Sequence, residues 1–243
     1  MNRSLTYRHF ATCGVAAIVA TACAGGGDAV ADQEQHNTLT AEERAAGWQL
    51  LFDGTTTDGW RGFRLEVAPE GWQAIDGSLT RVDRGGDIIT TEQFGDFELT
   101  LDWKVEEGGN SGVLFRVTEE ANRVWKSGPE MQVLDDERHP DGRVPKTSAG
   151  SNYGLHEPTE SAVYPAGTWN TVRLVVQQHH VEHWLNGVKV VEYDLGTPAW
   201  EEMVAATKFD TLPFYGRVPT GHIALQDHGD WVAYRNIKIR RLP

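Results

Sequence analysis

The residues best suited to chemistry lie in one short segment, Glu130 to Asp135, with the sequence EMQVLD. Alternate side chains of a β-strand point to the same face, so Glu130 and Gln132 share one face while Val133 points to the other. Asp135 falls on the Val133 face unless a bulge or the strand end redirects it. Two carboxyl groups and an amide on one concave face would suit acid–base work on a sugar. The alternative is a solvated strand face that ends in an Asp turn.

Further polar candidates occur in other segments of the chain. Asn110 precedes Ser111 and Gly112 in a turn that leads into a strand, and Arg116 follows on that strand. The Arg116 guanidinium could bind hydroxyl pairs or an enolate oxygen in a groove, and a surface ion pair is the alternative. The remaining candidates are Tyr153, His156, His183, Trp184, Gln226, His228 and Arg235. A lone histidine is more often structural than catalytic, and no histidine pair has a recognisable metal-ligand spacing.

Strands separated by turn signals must position these residues. Residues 97–105 alternate strictly between apolar and polar, which is typical of a half-buried antiparallel strand. Asp76-Gly77 predicts a hairpin with a type I′ turn, and Asn186-Gly187 predicts a second hairpin. Residues 40–46 and 197–207 predict short helices. The irregular stretch 136–166 is too long for an ordinary connection, so we expect a functional loop over a sheet face.

This pattern predicts the fold class. About a dozen short strands with little helix indicate an all-β fold, namely a two-sheet antiparallel β-sandwich (jelly roll, concanavalin-like) with one or two short helices. The 243 residues fit one such domain. Nine Trp are present, and indole faces stack on sugar rings as well as filling cores.

The N-terminus predicts export. Arg3 and Arg8 precede a short apolar stretch that ends in small residues before Cys23. We expect residues 1–22 to be a lipoprotein signal peptide, residues 23–46 a tether with a short helix, and residues 47–243 the domain. Cleavage after the triplet Ala20 to Ala22 by ordinary signal peptidase is the alternative. The expected location is a membrane facing the periplasm or the cell surface, such as the outer membrane, with a lipid on Cys23.

Composition excludes several classes of function. Cys13 and Cys23 are the only cysteines, so the domain has no disulfide, no thiol nucleophile and no Cys-ligated zinc. The net charge of −13 and the lack of a basic stripe argue against nucleic acid as a partner. The sequence has no phosphate-binding or dinucleotide loop, no G-x-S-x-G elbow and no H-E-x-x-H motif.

A series of short motifs resembles the 3-keto-disaccharide hydrolase domain family. The resemblance covers about residues 47–243 in consistent order. Its motifs are LFDG with Trp60, FEL at 97–99, NSGVLFR at 110–116, EMQVLD at 130–135, YGL at 153–155, GTWN at 167–170, HWLNG at 183–187, GHIALQDHG at 221–229 and YRNIKI at 234–239.

The resemblance implies a concanavalin-like sandwich that cleaves glycosides already oxidised to a ketone at C3. A base removes the acidic C2 proton, the C1–O bond breaks by elimination, and water adds back. By position, the resemblance implies a substrate groove of Asn110, Arg116, Glu130, Gln132, Asp135, Tyr153, His156, His183, Gln226, His228 and Arg235. From residue chemistry we expect Glu130 as the base or a metal ligand and His156 or His228 as the acid. Trp184 and Trp125 could stack on sugar rings.

Two other functions stay open. The first is a retaining β-glucanase on the same sandwich, which carries Glu-x-Asp-x-x-Glu on one strand. Glu130, Gln132 and Asp135 have the same spacing, but the middle residue is an amide and the last acid is shorter. A laminin-G-like module would bind carbohydrate without catalysis, and a calcium loop around Asp135, Asp136 and Asp141 would favour it. No cofactor is firmly indicated, a divalent metal is left open, and the sequence does not identify the sugar, the linkage or the oligomeric state.

Overall fold

A computed structural model describes residues 36–243, which form two antiparallel sheets. The signal peptide and the lipidated Cys23 expected from the sequence lie outside the described residues. The strands are β1 (Gln49–Leu50), β2 (Trp60–Gly62), β3 (Trp72–Ile75), β4 (Ser78–Arg81), β5 (Ile88–Thr90), β6 (Phe97–Val105), β7 (Asn110–Val117), β8 (Glu130–Leu134), β9 (Asn170–Gln177), β10 (His180–Leu185), β11 (Val188–Asp194), β12 (His222–Leu225) and β13 (Val232–Arg241). The α-helices are α1 (Ala41–Ala45) and α2 (Pro198–Ala205).

The two sheets differ in size. The large sheet has the order β11-β10-β9-β6-β13-β4-β3, with β1 also paired to β13. The small sheet has the order β2-β5-β12-β7-β8. All the strand pairs are antiparallel, which confirms the predicted all-β sandwich with few short helices.

The hydrophobic core lies between the sheets and follows from the period-two pattern. On β6, Phe97, Leu99 and Leu101 are buried in it. On β8, Met131 and Val133 point inward, so Glu130 and Gln132 point to the outer face of the small sheet. Burying one such large apolar side chain stabilises the fold by roughly 1.5–3 kcal/mol.

Local signals form the turns and helices that the sequence predicts. Asp76 and Gly77 have φ of 48° and 71°, and Asn186 and Gly187 have φ of 50° and 84°. A type I′ turn needs positive φ at both positions, so both hairpins form as expected. Thr40 caps α1 through a reciprocal pair of hydrogen bonds with Glu43.

The irregular stretch 136–166 is largely tied down along the edge of β8. Tyr153 N donates to Glu130 O at 3.0 Å, and Gln132 N donates to Ser151 O at 3.1 Å. Two short 3-10 turns, Pro140–Arg143 and Pro145–Thr147, precede this segment. The loop therefore extends the small sheet beside Glu130, and its residues Thr147 and Tyr153 also reach the outer face of that sheet. In the described part of the chain, no helix is long and apolar enough to cross a membrane.

Candidate functional site

A pocket of about 400 Å³ opens on the outer face of the small sheet. This volume lies within the usual range for small-molecule sites. Strands β7 and β8 supply its floor, and loops that follow other strands supply its walls. The lining residues are Asp87, Asn110, Arg123, Trp125, Glu130, Gln132, Tyr153, Lys208, Gln226, Asp227 and His228.

Glu130 is the carboxyl group that β8 presents to this pocket. The residue is only 7% exposed, and no hydrogen bond to its side chain is recorded among residues 36–243. Burial raises the pKa of Glu130 to about 8, Lys208 opposes this rise, and the nearby charges of Asp87 and Asp141 add to it. A carboxylate with so high a pKa is a much stronger base than an exposed glutamate.

Lys208 lies against the aromatic wall of the pocket. Its Nζ is 4.5 Å from the ring centroid of Tyr153 and 5.4 Å from that of Trp125. These cation–π contacts hold a positive charge close enough to act on Glu130. The Tyr153 hydroxyl donates to Asp141 Oδ2 at 3.4 Å, and burial with the negative charges of Asp141 and Glu130 raises the pKa of Tyr153 to about 12. Tyr153 therefore stays protonated at neutral pH.

Asp227 anchors the loop that carries His228 into the pocket. Its carboxylate accepts hydrogen bonds from the backbone N–H groups of Gly85 and Gly86 and from Arg81 Nε at 2.8 Å. Burial alone would raise its pKa, but these donors outweigh burial and the pKa of Asp227 is lowered. Asp227 is thus an ionised structural anchor.

Asp87 behaves in the opposite way. It accepts a hydrogen bond from the Asp227 backbone N–H at 3.0 Å, and burial raises its pKa. The two aspartates therefore differ in their tendency to hold a proton, although they line the same wall.

The pocket floor contains two unpaired acceptors. Gln132 Nε2 donates to Thr147 O at 3.1 Å, whereas Gln132 Oε1 has no hydrogen-bond partner among residues 36–243. Asn110 Oδ1 is also buried and has no partner in the part of the chain that the structure describes. Buried polar atoms are normally hydrogen-bonded, so these two oxygens lack the partners that such atoms usually have.

The structure brings six of the sequence-predicted residues together in this pocket: Asn110, Glu130, Gln132, Tyr153, Gln226 and His228. Trp125, expected to stack on sugars, lies there as well. The strand period predicts that Glu130 and Gln132 share a face, and in the structure both side chains line the pocket.

Arg116 does not reach the pocket, contrary to expectation. A bulge interrupts the β7–β12 pairing, and Arg116 adopts φ of 51°. Val117 consequently joins Leu114 in the outer-face apolar cluster. The Arg116 Nη2 atom donates instead to Asp96 Oδ1 at 3.1 Å and to Gln178 O at 2.8 Å.

Two predicted histidines lie in an aromatic stack outside the pocket. His183 is fully buried, with its Nε2 atom 3.2 Å from the Tyr193 hydroxyl. The His156 ring stacks on Tyr193 at 4.7 Å between centroids. Burial lowers the pKa of each histidine to about 4, with a smaller contribution from Lys146 at His156. Both rings are therefore neutral at pH 7, and the acid role expected for His156 has no support in its position.

The other three predicted groove residues also lie elsewhere. Asp135 Oδ2 accepts from Gly108 N at 2.7 Å, because the strand ends at Leu134 and its side chain turns to the neighbouring loop. Trp184 lies on the outer face of the large sheet under Arg173, 5.0 Å from the ring centroid. Arg235 lies on the same sheet and pairs with Asp102 at 3.3 Å. Strand periodicity does not identify the sheet to which a strand belongs, which is why the placements of Trp184 and Arg235 were wrong.

Sequence reasoning missed four lining residues: Asp87, Arg123, Lys208 and Asp227. Asp227 lies in the GHIALQDHG motif at 221–229, next to His228, and that neighbour could have identified it as a site residue. Lys208 follows α2 in an irregular segment with no periodic pattern to mark it.

The pocket residues do not form a compact group of metal ligands. Across residues 36–243, the one group of three His or acid side chains with donor atoms within 4.8 Å of one another is His180, Glu182 and Glu192, on the large sheet. The donor atoms of the pocket acids Asp87, Glu130 and Asp227 therefore do not all lie within that distance of one another, and neither do those of Asp135, Asp136 and Asp141.

Comparisons with known proteins agree with this architecture. The model of a 3-keto-alpha-glucoside-1,2-lyase-like domain matches residues 47–240. A 3-keto-disaccharide hydrolase from Bacteroides thetaiotaomicron is 33% identical, with 82% of this chain and 79% of that protein covered. Two crystal structures described as glycosyl hydrolases from Parabacteroides distasonis are also similar. The first has a TM-score of 0.80 and is 34% identical, with 86% of this chain and all of that chain covered. The second has a TM-score of 0.66 and is 31% identical, with 80% of this chain and 99% of that chain covered.

Proposed function

Because the chain belongs to the 3-keto-alpha-glucoside-1,2-lyase-like domain family and is a glycosidase-type enzyme, we propose that it cleaves 3-keto glycosides by elimination. The observation that carries this proposal is the buried carboxyl group of Glu130 on the pocket floor, with its pKa raised to about 8. The relatives' names support a 3-keto sugar, and the pocket supports base chemistry on it.

Glu130 acts first in the proposed reaction. A ketone at C3 acidifies the C2 hydrogen, and the Glu130 carboxylate takes that proton while the electron pair moves onto the C3 oxygen as an enolate. When the enolate collapses, the C1–O bond breaks and a C1–C2 double bond forms. Water then adds hydroxide to C1 and a proton to C2, so the net result is hydrolysis.

Other pocket residues supply the remaining requirements. Lys208 and Arg123 carry positive charge near the enolate oxygen, and preorganised charge of this kind lowers the barrier. His228 is the candidate acid for the departing oxygen, since it is the histidine that lines the pocket. Trp125 offers an aromatic face to the sugar, and the side-chain amides of Asn110 and Gln132 line the pocket beside it.

The residues of β8 do not match those of a retaining β-glucanase. A retaining glycosidase needs two carboxyl groups about 5–5.5 Å apart. Gln132 occupies the middle position of the glucanase-like triplet, and Asp135 binds Gly108 N outside the pocket. Strand β8 therefore presents one carboxyl group rather than a pair.

A paired assay tests the proposal. The purified protein is given 3-keto-trehalose, a 3-keto-β-glucoside and the two unoxidised sugars, as wild type, Glu130→Gln and the exposed control Glu160→Gln. We expect product from the keto sugars only, at least a hundredfold lower rates in Glu130→Gln, and full activity in Glu160→Gln. A parallel series with chelator measures any dependence on a divalent metal.

Other results would change the function. Cleavage of the unoxidised sugar would make the protein an ordinary glycosidase. Binding of sugar without cleavage of any substrate would make it a carbohydrate-binding module, and would overturn the proposal. Full activity of Glu130→Gln would remove Glu130 from the base role.

For the location, we propose a lipid on Cys23 that holds the domain at a membrane facing the periplasm or the cell surface. The small residues before Cys23 and the polar stretch after it support this proposal. Metabolic labelling with a fatty acid should mark the wild type and not Cys23→Ser, and an unlabelled wild type would contradict it.

A further inference from the structure

A second pocket, of about 380 Å³, lies on the outer face of the large sheet. Lys104 and Ala233 face each other there on β6 and β13, and Thr80 faces Ala233 on β4. The small side chain of Ala233 leaves a depression between its neighbours. Trp169 and Trp231 flank this depression.

The aromatic walls of this pocket are held in place by cations. Lys104 Nζ lies 4.6 Å from the ring centroid of Trp169 and 5.6 Å from that of Trp231. The Arg235 guanidinium carbon is 4.2 Å from the Trp169 centroid. Neither Trp169 nor Trp231 belongs to the buried core, and both side chains are part-exposed.

Polar groups surround the two indoles. Lys104 forms no recorded ion pair with a carboxylate in the described part of the chain, and burial beside Arg235 lowers its pKa. Asp76 and the Thr80 hydroxyl lie on the opposite side of the depression. Donors and acceptors around flat apolar faces match a pyranose ring, which has hydroxyl groups at its rim and C–H groups on its faces.

We propose that this depression, the Trp169–Trp231 cleft, is a non-catalytic binding site for a pyranose unit of a polysaccharide. It lies on the large sheet, whereas the Glu130 pocket lies on the small sheet, so the core separates the two sites. The cleft would hold a glycan chain on one side of the domain while a small sugar reacts on the other. This inference goes beyond the proposed function and does not depend on it.

Affinity electrophoresis of the full chain tests the proposal. Native gels contain mixed-linkage β-glucan, starch, galactomannan or polygalacturonate. Retardation by polygalacturonate would show that the bound sugar ring carries a carboxylate. The variants are Trp169→Ala/Trp231→Ala, Trp125→Ala in the Glu130 pocket, and Trp48→Ala. Trp48 is a matched control because it is another part-exposed indole with a cation, Arg240, 5.1 Å from its ring centroid.

We expect at least one polysaccharide to retard the wild type, Trp48→Ala and Trp125→Ala alike, and the double variant to bind at least tenfold more weakly. The midpoint of thermal unfolding should be the same in the double variant as in the wild type, which shows that the variant is folded. Its cleavage of a small keto sugar should also be unchanged, which separates this site from the Glu130 pocket. Unchanged retardation of the double variant would overturn the proposal. Loss of retardation in Trp125→Ala alone, or no retardation of the wild type, would do so as well.

Discussion

Gly112 on β7 leaves the space that the Glu130 side chain on β8 occupies. A Cβ atom at Gly112 would lie 2.2 Å from Glu130 Oε1 and 2.8 Å from Glu130 Cδ. The contact involves the end of a flexible side chain, so the carboxyl group can move aside more easily than the backbone. Gly112 thus determines where the carboxyl group lies.

Replacing Gly112 by Ala should therefore reduce activity more than stability. A misplacement of about 1 Å at a reacting group costs on the order of a hundredfold in rate. We expect kcat/KM for the keto sugar to fall about a hundredfold, with a loss of about 1–3 kcal/mol in the free energy of unfolding from overpacking. Gly95→Ala, whose new Cβ would meet Thr220 Oγ1 at 3.1 Å away from the pocket, is the control. Equal activity losses in the two variants would contradict this role for Gly112.

The raised pKa of Glu130 predicts how activity depends on pH. A base must be ionised, so kcat/KM should rise with pH and level off above about 8, where the Glu130 carboxyl group loses its proton. The measurement is kcat/KM from pH 5 to 10. A fall in activity through the same range would instead assign Glu130 the role of an acid.

The raised pKa of Glu130 also predicts that the Glu130→Gln variant becomes more stable than the wild type at high pH. The pKa of this carboxyl group is raised above its ordinary 4.5, so its contribution to stability is complete below pH 4.5 and is lost between pH 4.5 and about 8. The amide has no such loss. The difference in the free energy of unfolding should therefore grow between pH 5 and 8, at about 1.4 kcal/mol for each pH unit. Denaturant titrations at pH 5 and 8 measure it, and a constant difference would argue against a buried charge.

Lys208 should tune the pKa of Glu130. Its positive charge lowers that pKa, so Lys208→Met should move the rise in kcat/KM to higher pH and reduce activity at pH 7 by about tenfold or more. Lys126→Met is the matched control, because Lys126 also contacts Trp125, at 5.5 Å, and does not act on the charge of Glu130. If both variants keep the wild-type pH profile, Lys208 does not tune the pKa of Glu130.

Asp227→Asn should destabilise the protein. The Asp227–Arg81 pair is buried, with side chains 7% and 8% exposed, and removing one partner leaves the other charge unpaired. A loss of about 3–5 kcal/mol is expected at pH 7. The pKa of Asp227 is lowered, so its contribution is present above the ordinary pKa of 3.8 and disappears as pH falls through the lower folded value. The midpoint of thermal unfolding at pH 7, compared with exposed Asp58→Asn, checks this prediction, and equal midpoints would contradict it.

The sequence by itself determined the local structure and part of the site. Strict alternation on β6 and the paired turn residues Asp76-Gly77 and Asn186-Gly187 are short-range signals, since each depends on a few neighbouring residues. The same period placed Glu130 and Gln132 on one face, and both line the pocket. The motifs also identified the family. Export and lipidation of Cys23 stay predictions.

Only the tertiary structure decided which polar residues meet. The bulge that turns Arg116 away from the pocket arises from the pairing of β7 with β12, two strands far apart in the chain. Arg235 and Trp184 look like groove residues in the sequence, yet their strands belong to the large sheet, whose outer face lies away from Glu130. Lys208 is the opposite case, a pocket residue that the sequence does not indicate. It lies in an irregular segment without a periodic pattern, and the fold brings it beside Tyr153. Strand pairing and loop packing depend on contacts across the whole fold, and local periodicity carries no information about them.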